Sequence, residues 1–173
     1  FNLHAGLDAC TEHLIGYGGH DMAAGMRCQS EQFEHFANAF IAHSNERLTP
    51  DDLVNTTRYD TTARVAELTP ETVRELERLS PFGAGNPRVQ VRVVQAKLNG
   101  IPSPFGRGGN HLSLRVCDRD NAGPGWRVVA WNWAKHIDQI PPGAPVELII
   151  EPKISDWNGR ISVEPVLVDL RVC

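Results

Sequence analysis

Near residue 88 the hydrophobic period of this chain changes from steps of three and four to steps of two, and that switch limits its architecture more than any other feature. Val89-Gln90-Val91-Arg92-Val93 and Leu112-Ser113-Leu114-Arg115-Val116 alternate, as does Ile161-Ser162-Val163, and β-branched residues recur over 127–131 and 146–154. The pattern predicts five strands at about 89–98, 111–117, 126–131, 145–154 and 160–172. A helical pattern over 132–140, closed by Pro141-Pro142-Gly143, separates the third strand from the fourth. Asp156-Trp157-Asn158-Gly159 supplies an Asn-Gly turn between strands four and five.

Three strands, a helix and two strands is the order of an OB barrel. Turn formers follow the same division, since 10 of the 12 Pro and 10 of the 15 Gly lie after residue 80. Charge is divided too. Residues 1–80 carry 6 Lys and Arg against 13 Asp and Glu, whereas 81–173 carry 11 against 8, so a net charge of -4 is the sum of -7 and +3. The whole is too acidic for an indiscriminate nucleic-acid binder, but the second half is not. No apolar run approaches the ~18 residues of a membrane span, and the first segment lacks the order of a secretory signal. Cys10, Cys28, Cys117 and Cys173 show no C-x-x-C spacing, so reduced thiols are expected. The chain opens at Phe1 on helical sequence and reads as a piece of a longer protein.

In the first half, Leu3, Leu7, Cys10, Leu14 and Ile15 predict a helix stopped at Gly16. Met26 to Cys28 reads as the end of a short buried strand. Ser30 is placed to cap a helix whose Phe33, Phe36 and Phe40 form one core stripe. Residues 58–68 suggest a strand, and Thr69-Pro70 opens a helix with Val73, Leu76 and Leu79 facing inward. The fold class is therefore α+β, an α/β portion followed by a five-stranded barrel.

Gly18-Gly19-His20 is the most suggestive site. Adjacent glycines admit a phosphate close to backbone N–H groups, and the imidazole can donate to its oxygens. Two glycines after a helix also make a plain turn. The full stretch Gly18-Gly19-His20-Asp21-Met22-Ala23-Ala24-Gly25 resembles the GGHxxAAG signature of the domain that accompanies DHH phosphoesterases. The run 75–87, ending Pro81-Phe82-Gly83-Ala84-Gly85-Asn86-Pro87, and later Trp157-Asn158-Gly159-Arg160, are similar to segments of the RecJ family of single-stranded-DNA exonucleases. The resemblance implies a truncated DHH-associated substrate domain at 1–68, a connecting helix and junction at 69–87, and an OB barrel at 88–173. It also implies that Gly18, Gly19 and His20 contact substrate phosphates, with Ala23, Ala24 and Gly25 packed behind them. The Mn2+ or Mg2+ of such enzymes is implied to sit in an upstream DHH domain of the parent chain. This fragment has no Asp-His-His triplet, and Asp118-Arg119-Asp120 reads as turn chemistry. No catalytic residue, metal ligand or cofactor is therefore expected within it.

The barrel has candidates of its own for single-stranded DNA. Arg92, Arg107, Arg115, Arg119, Arg127 and Lys153 are the cations for phosphates; Phe105, His111, Trp126 and Trp157 are the rings for bases, while Trp131 reads equally as core. The loop 99–110 lies where OB ligand loops usually sit. The expected partners are single-stranded DNA, the upstream DHH domain, and single-stranded-DNA-binding protein or other repair proteins, in the cytoplasm and away from membranes. Two other readings compete: a barrel that docks proteins only, and a DHH phosphodiesterase acting on short oligonucleotides.

Overall fold

The computed structural model describes residues 1–120 and 125–173, in two compact units, Phe1–Thr56 and Thr57–Cys173. The first unit places α1 (Leu3–Asp8), a hairpin of β1 (Gly16–His20) and β2 (Ala23–Arg27), and α2 (Phe33–Asn45) around a small cluster of Leu7, Cys10 and Phe36. Asn2 caps α1 by accepting from the Ala5 amide at 2.9 Å. The helix is shorter than its apolar spacing predicts. Leu14 is extended and the Ile15 amide donates to the Arg27 carbonyl at 2.8 Å, so strand pairing takes the backbone that a longer helix would have used.

The hairpin is one-sided rather than buried. Tyr17, Ala24 and Met26 pack on the helices, while Gly18, His20, Ala23, Gly25 and Arg27 are exposed. Of the expected Phe stripe, Phe36 is buried and Phe40 half-buried, but Phe33 is 51% exposed because the cluster beneath α2 ends before its first turn. A 3-10 turn, Ser30–Gln32, precedes α2 and has no side-chain cap.

In the second unit, β3 (Thr61–Ala63), a 3-10 turn (Val65–Glu67) and α3 (Pro70–Glu77) precede β4 (Val91–Leu98), β5 (Ser103–Phe105), β6 (His111–Asp118) and β7 (Trp126–Ala130). After a 3-10 turn at Ala134–Gln139 come β8 (Pro145–Glu151), β9 (Ile154–Trp157), β10 (Arg160–Val163) and β11 (Val166–Val172). Thr69 caps α3, accepting from the Thr72 amide, and Pro70 is its first residue.

Strands β4, β8, β11, β7 and β6 hydrogen-bond in that order, and β6 returns to β4 to close a five-stranded OB barrel. The pairing is antiparallel except between β11 and β7. A bulge in β4 at Gln95, φ 53°, lets one strand serve two partners, β8 along its length and β6 at its end. Val91, Val93, Leu112, Leu114, Val128, Leu148 and Ile150 fill the interior. They are the inward members of the alternating runs.

Several expectations are corrected here. The fourth strand ends at Glu151, and Ile154–Trp157 pairs with Arg160–Val163 as a separate hairpin inserted before the fifth strand. Asn158 and Gly159, with φ of 52° and 74°, form its turn, so the Asn-Gly signal is real but joins different strands. The strand expected over 58–68 shrinks to Thr61–Ala63, which pairs in parallel with β4. Val65 and Leu68 belong to the barrel core, and the two compact units divide between Thr56 and Thr57. Leu79 is 56% exposed, beyond the end of α3.

Candidate nucleic-acid interface

Barrel register decides which side chains share the outer face of β5, β6 and β7. Pairing sets Phe105 opposite His111, Ser103 opposite Ser113, and Arg115 opposite Arg127. Leu112, Leu114 and Val128 point inward, so the residues between them point out. Trp131 follows β7 and is 51% exposed.

An aromatic row results. Ring centroids of Phe105 and His111 are 5.4 Å apart, of His111 and Trp131 4.7 Å, and of Phe105 and Trp131 5.7 Å. The Asn132 amide donates to His111 Nδ1 at 3.0 Å, which leaves Nε2 as the protonated nitrogen of the neutral ring. Gly106 holds the other side. It has φ 84°, and a Cβ there would come within 2.7 Å of the His111 ring, so this turn needs glycine for both reasons.

The cations are unequal. Arg127 lies 5.5 Å from the Phe105 centroid, donates from Nε to the Ser113 hydroxyl at 3.0 Å and pairs with Glu164. Arg115 is exposed and has no ion pair among the described residues. Arg107 is exposed in the turn between β5 and β6. Sequence reading singled out Phe105 and His111 and left Trp131 between platform and core; period two counted on from Arg127 is the available signal for placing it outside.

Other candidates lie elsewhere. Trp126 pairs with Val116 and packs against the barrel core, so its indole is not part of the row. Arg92 faces outward over β4 and β8, where Glu147 and the Tyr59 hydroxyl hold it. Arg119 is exposed just past β6, Lys153 is half-buried before β9, and Trp157 is 76% exposed at the β9–β10 turn. Asp118 is not a solvated turn residue: it is 6% exposed, accepting from the Val65 and Ala66 amides at 3.1 and 3.0 Å with Arg64 beside it.

In the first unit, Gly18 pairs with Gly25 and His20 with Ala23 on the open side of the hairpin. A Cβ at Gly18 or Gly25 would meet nothing within 4 Å, so packing requires neither glycine. Gly19 differs: with φ 138°, its Cβ would lie 2.5 Å from the Ala23 carbonyl oxygen. Ala24 packs inward as expected, but Ala23 and Gly25 do not stand behind the glycines; they share the open face. His4, Gly19, His20, Asp21 and Met22 line an open cavity of about 440 Å³ beside it.

The RecJ OB domain family matches residues 59–169, most of the second unit and well over half the sequence. The chain belongs to that family. Single-stranded-DNA-specific exonuclease RecJ of Bacillus subtilis is 28% identical over 99% of this chain and 21% of its own length. The RecJ of Thermus thermophilus is 30% identical over 95% and 22%. Among solved structures, T. thermophilus RecJ in complex with Mn2+ aligns with TM-score 0.68 and 29% identity over 96% of this chain and 23% of that one. The same protein in complex with Mg2+ aligns with TM-score 0.68 and 28% identity, over 99% and 25%. This chain thus spans about a fifth of the curated RecJ relatives.

Those RecJ structures contain a divalent metal. Among the described residues here, no three His, Cys, Asp or Glu side chains group to hold one, and Asp118 is committed to backbone amides. The residues present do not fit that role. Among the described residues, too, no helix is long and apolar enough to cross a membrane.

Proposed function

We propose that this chain is the single-stranded-DNA-holding part of a RecJ-type 5′ to 3′ exonuclease, whose phosphodiester chemistry is supplied by an upstream DHH domain. The aromatic row of Phe105, His111 and Trp131 carries the reading: three rings on one outer face of the barrel, Trp131 exposed and the other two half-buried, with His111 held by the backbone beside it. Stacking suits a single strand, because unpaired bases offer their faces and paired bases do not. Arg115, on the same strand face, meets the phosphate backbone; Arg107 meets it from the adjoining turn. Arg127 chiefly supports Phe105, since Glu164 already neutralises it. In the first unit Gly18, Gly19 and His20 approach substrate phosphates.

Fluorescence anisotropy with a labelled oligothymidylate and a matching duplex tests this. Single strands should bind more tightly, and Trp131→Ala should weaken them by about 1–2 kcal/mol, roughly 5- to 30-fold. That variant should leave the salt slope alone, whereas Arg115→Ala should reduce it by about 0.7. Equal binding of duplex would overturn the strand preference, and no binding at low salt would instead make the face a protein-docking surface.

A further inference from the structure

The open face of the β1–β2 hairpin extends beyond the glycine-histidine motif. Its register sets Gly16 opposite Arg27, Gly18 opposite Gly25, and His20 opposite Ala23. Side chains two apart share a face, so Arg27 stands in line with Gly25 and Ala23 on the side that carries Gly18 and His20. Three of these six positions are glycine and one is alanine. The centre of the face is therefore bare backbone, with a cation at one end and an imidazole at the other.

Packing does not explain this composition. Nothing lies within 4 Å of a Cβ built at Gly18 or Gly25, and the φ of neither is in the left-handed region. A strand ordinarily prefers larger, β-branched residues at such places, because glycine there costs backbone entropy. The same bareness lets Arg27 lie across its neighbour: its Nη2 is 4.0 Å from the place a Cβ of Gly16 would occupy. Arg27 is exposed and forms no ion pair among the described residues, and the same is true of His20. Four residues of strand separate the two ends, about 13 Å at ordinary rise, which exceeds the reach of one phosphate group.

We infer that Arg27 is a second phosphate contact of this surface, holding a neighbouring phosphodiester of the same strand while His20 takes another. The inference rests on the reading that Gly18, Gly19 and His20 face substrate phosphates. The ligand it specifies is a chain with at least two phosphates laid along the hairpin, not a mononucleotide. A planar guanidinium suits that task, since its N–H pairs match two oxygens of one phosphate.

The test is a titration of the whole 173-residue chain with the trinucleotide pdTpdTpdT, whose outer phosphates can span the hairpin, followed by NMR at the amides of Gly18 and Gly25 and the ring of His20. These signals should move, and they report this face apart from the barrel. Arg27→Gln should raise the dissociation constant about 3- to 10-fold and lower the salt slope by about 0.7. Arg27→Lys should keep the slope. Gly18→Val, which has room for its side chain, should preserve the melting temperature and abolish the shifts. If Arg27→Gln leaves affinity and slope unchanged while His20→Ala weakens binding, the assignment of Arg27 is wrong and the glycine-histidine reading stands. If pdTpdTpdT moves none of the three signals in the unaltered chain, both fall together.

Discussion

Glu147 accepts on a single oxygen from Arg92 Nε and Nη2, at 3.3 and 2.7 Å, and from Arg171 Nη2 at 2.8 Å. Its side chain is 23% exposed, so the two guanidiniums act through less solvent than a surface pair would. The Arg92 hydrogen bonds hold its carboxyl below the usual glutamate range, with the charges of Arg92 and Arg171 adding to them. A depressed folded pKa contributes stability that is present above the unfolded value and lost as pH falls through the folded one. The cluster should therefore help near neutrality and fade below about pH 4.5. Thermal melts of Glu147→Gln against the unaltered chain should show a gap at pH 7 that narrows steadily as the pH is lowered into the acid range. A gap independent of pH would mean that shape, not charge, makes the contribution. Charge placement of this kind is invisible to sequence reading. Alternation shows that Arg92 faces outward, but only the neighbouring strands reveal that Glu147 and Tyr59 already hold it.

Between β3 and α3, one carboxylate organises a whole turn. Asp118 receives the Val65 and Ala66 amides of the 3-10 turn from the end of β6, 52 residues or more away in sequence. Asp118→Ala leaves one buried and one part-buried donor unpaired and should cost about 2–3 kcal/mol, measured as a shift in the urea midpoint. Asp118→Asn keeps one acceptor and should cost less. A loss equal to that of alanine would show that the charge beside Arg64 dominates. Where side-chain period and local turn chemistry agree, elements were legible: β4, β6, β7 and α3 fall within a residue or two of their expected bounds. Where long-range pairing decides, they were not. The helix expected through Ile15 stops early because Ile15 belongs to a sheet, and the last two barrel strands were misjoined because an inserted hairpin carries the turn signal. Trp131 was open to either reading because Val128, Val129 and Ala130 are all buried and hide the alternation that places it outside.

At the scale of the molecule, the OB barrel does not begin where its alternating pattern begins. Val65 and Leu68 are 7% and 4% exposed within its core, and β3 extends its sheet alongside β4. A fragment starting at residue 88 removes both side chains, each contributing about 1.5–3 kcal/mol when fully buried. Residues 57–173 should therefore unfold cooperatively, while 88–173 should show a urea midpoint lower by the equivalent of several kcal/mol. Equal midpoints would show that the preceding segment is an ornament. Net charge is divided between the halves: the +3 half holds the aromatic face, and the -7 half holds the glycine-rich hairpin.

The barrel is closed, but not evenly. Among the described residues β6 meets β7 at five paired positions, whereas β11 meets β7 at one, Val166 with Val129, assisted by the Val129 amide on the Pro165 carbonyl at 2.9 Å. Amide protons along that seam have the fewest bonds to break before they reach solvent, so they should exchange soonest among the barrel strands. The parting would leave β5, β6 and β7 still paired to each other. A cylinder built this way opens along one seam, and the sheet left intact beside that opening carries the rings.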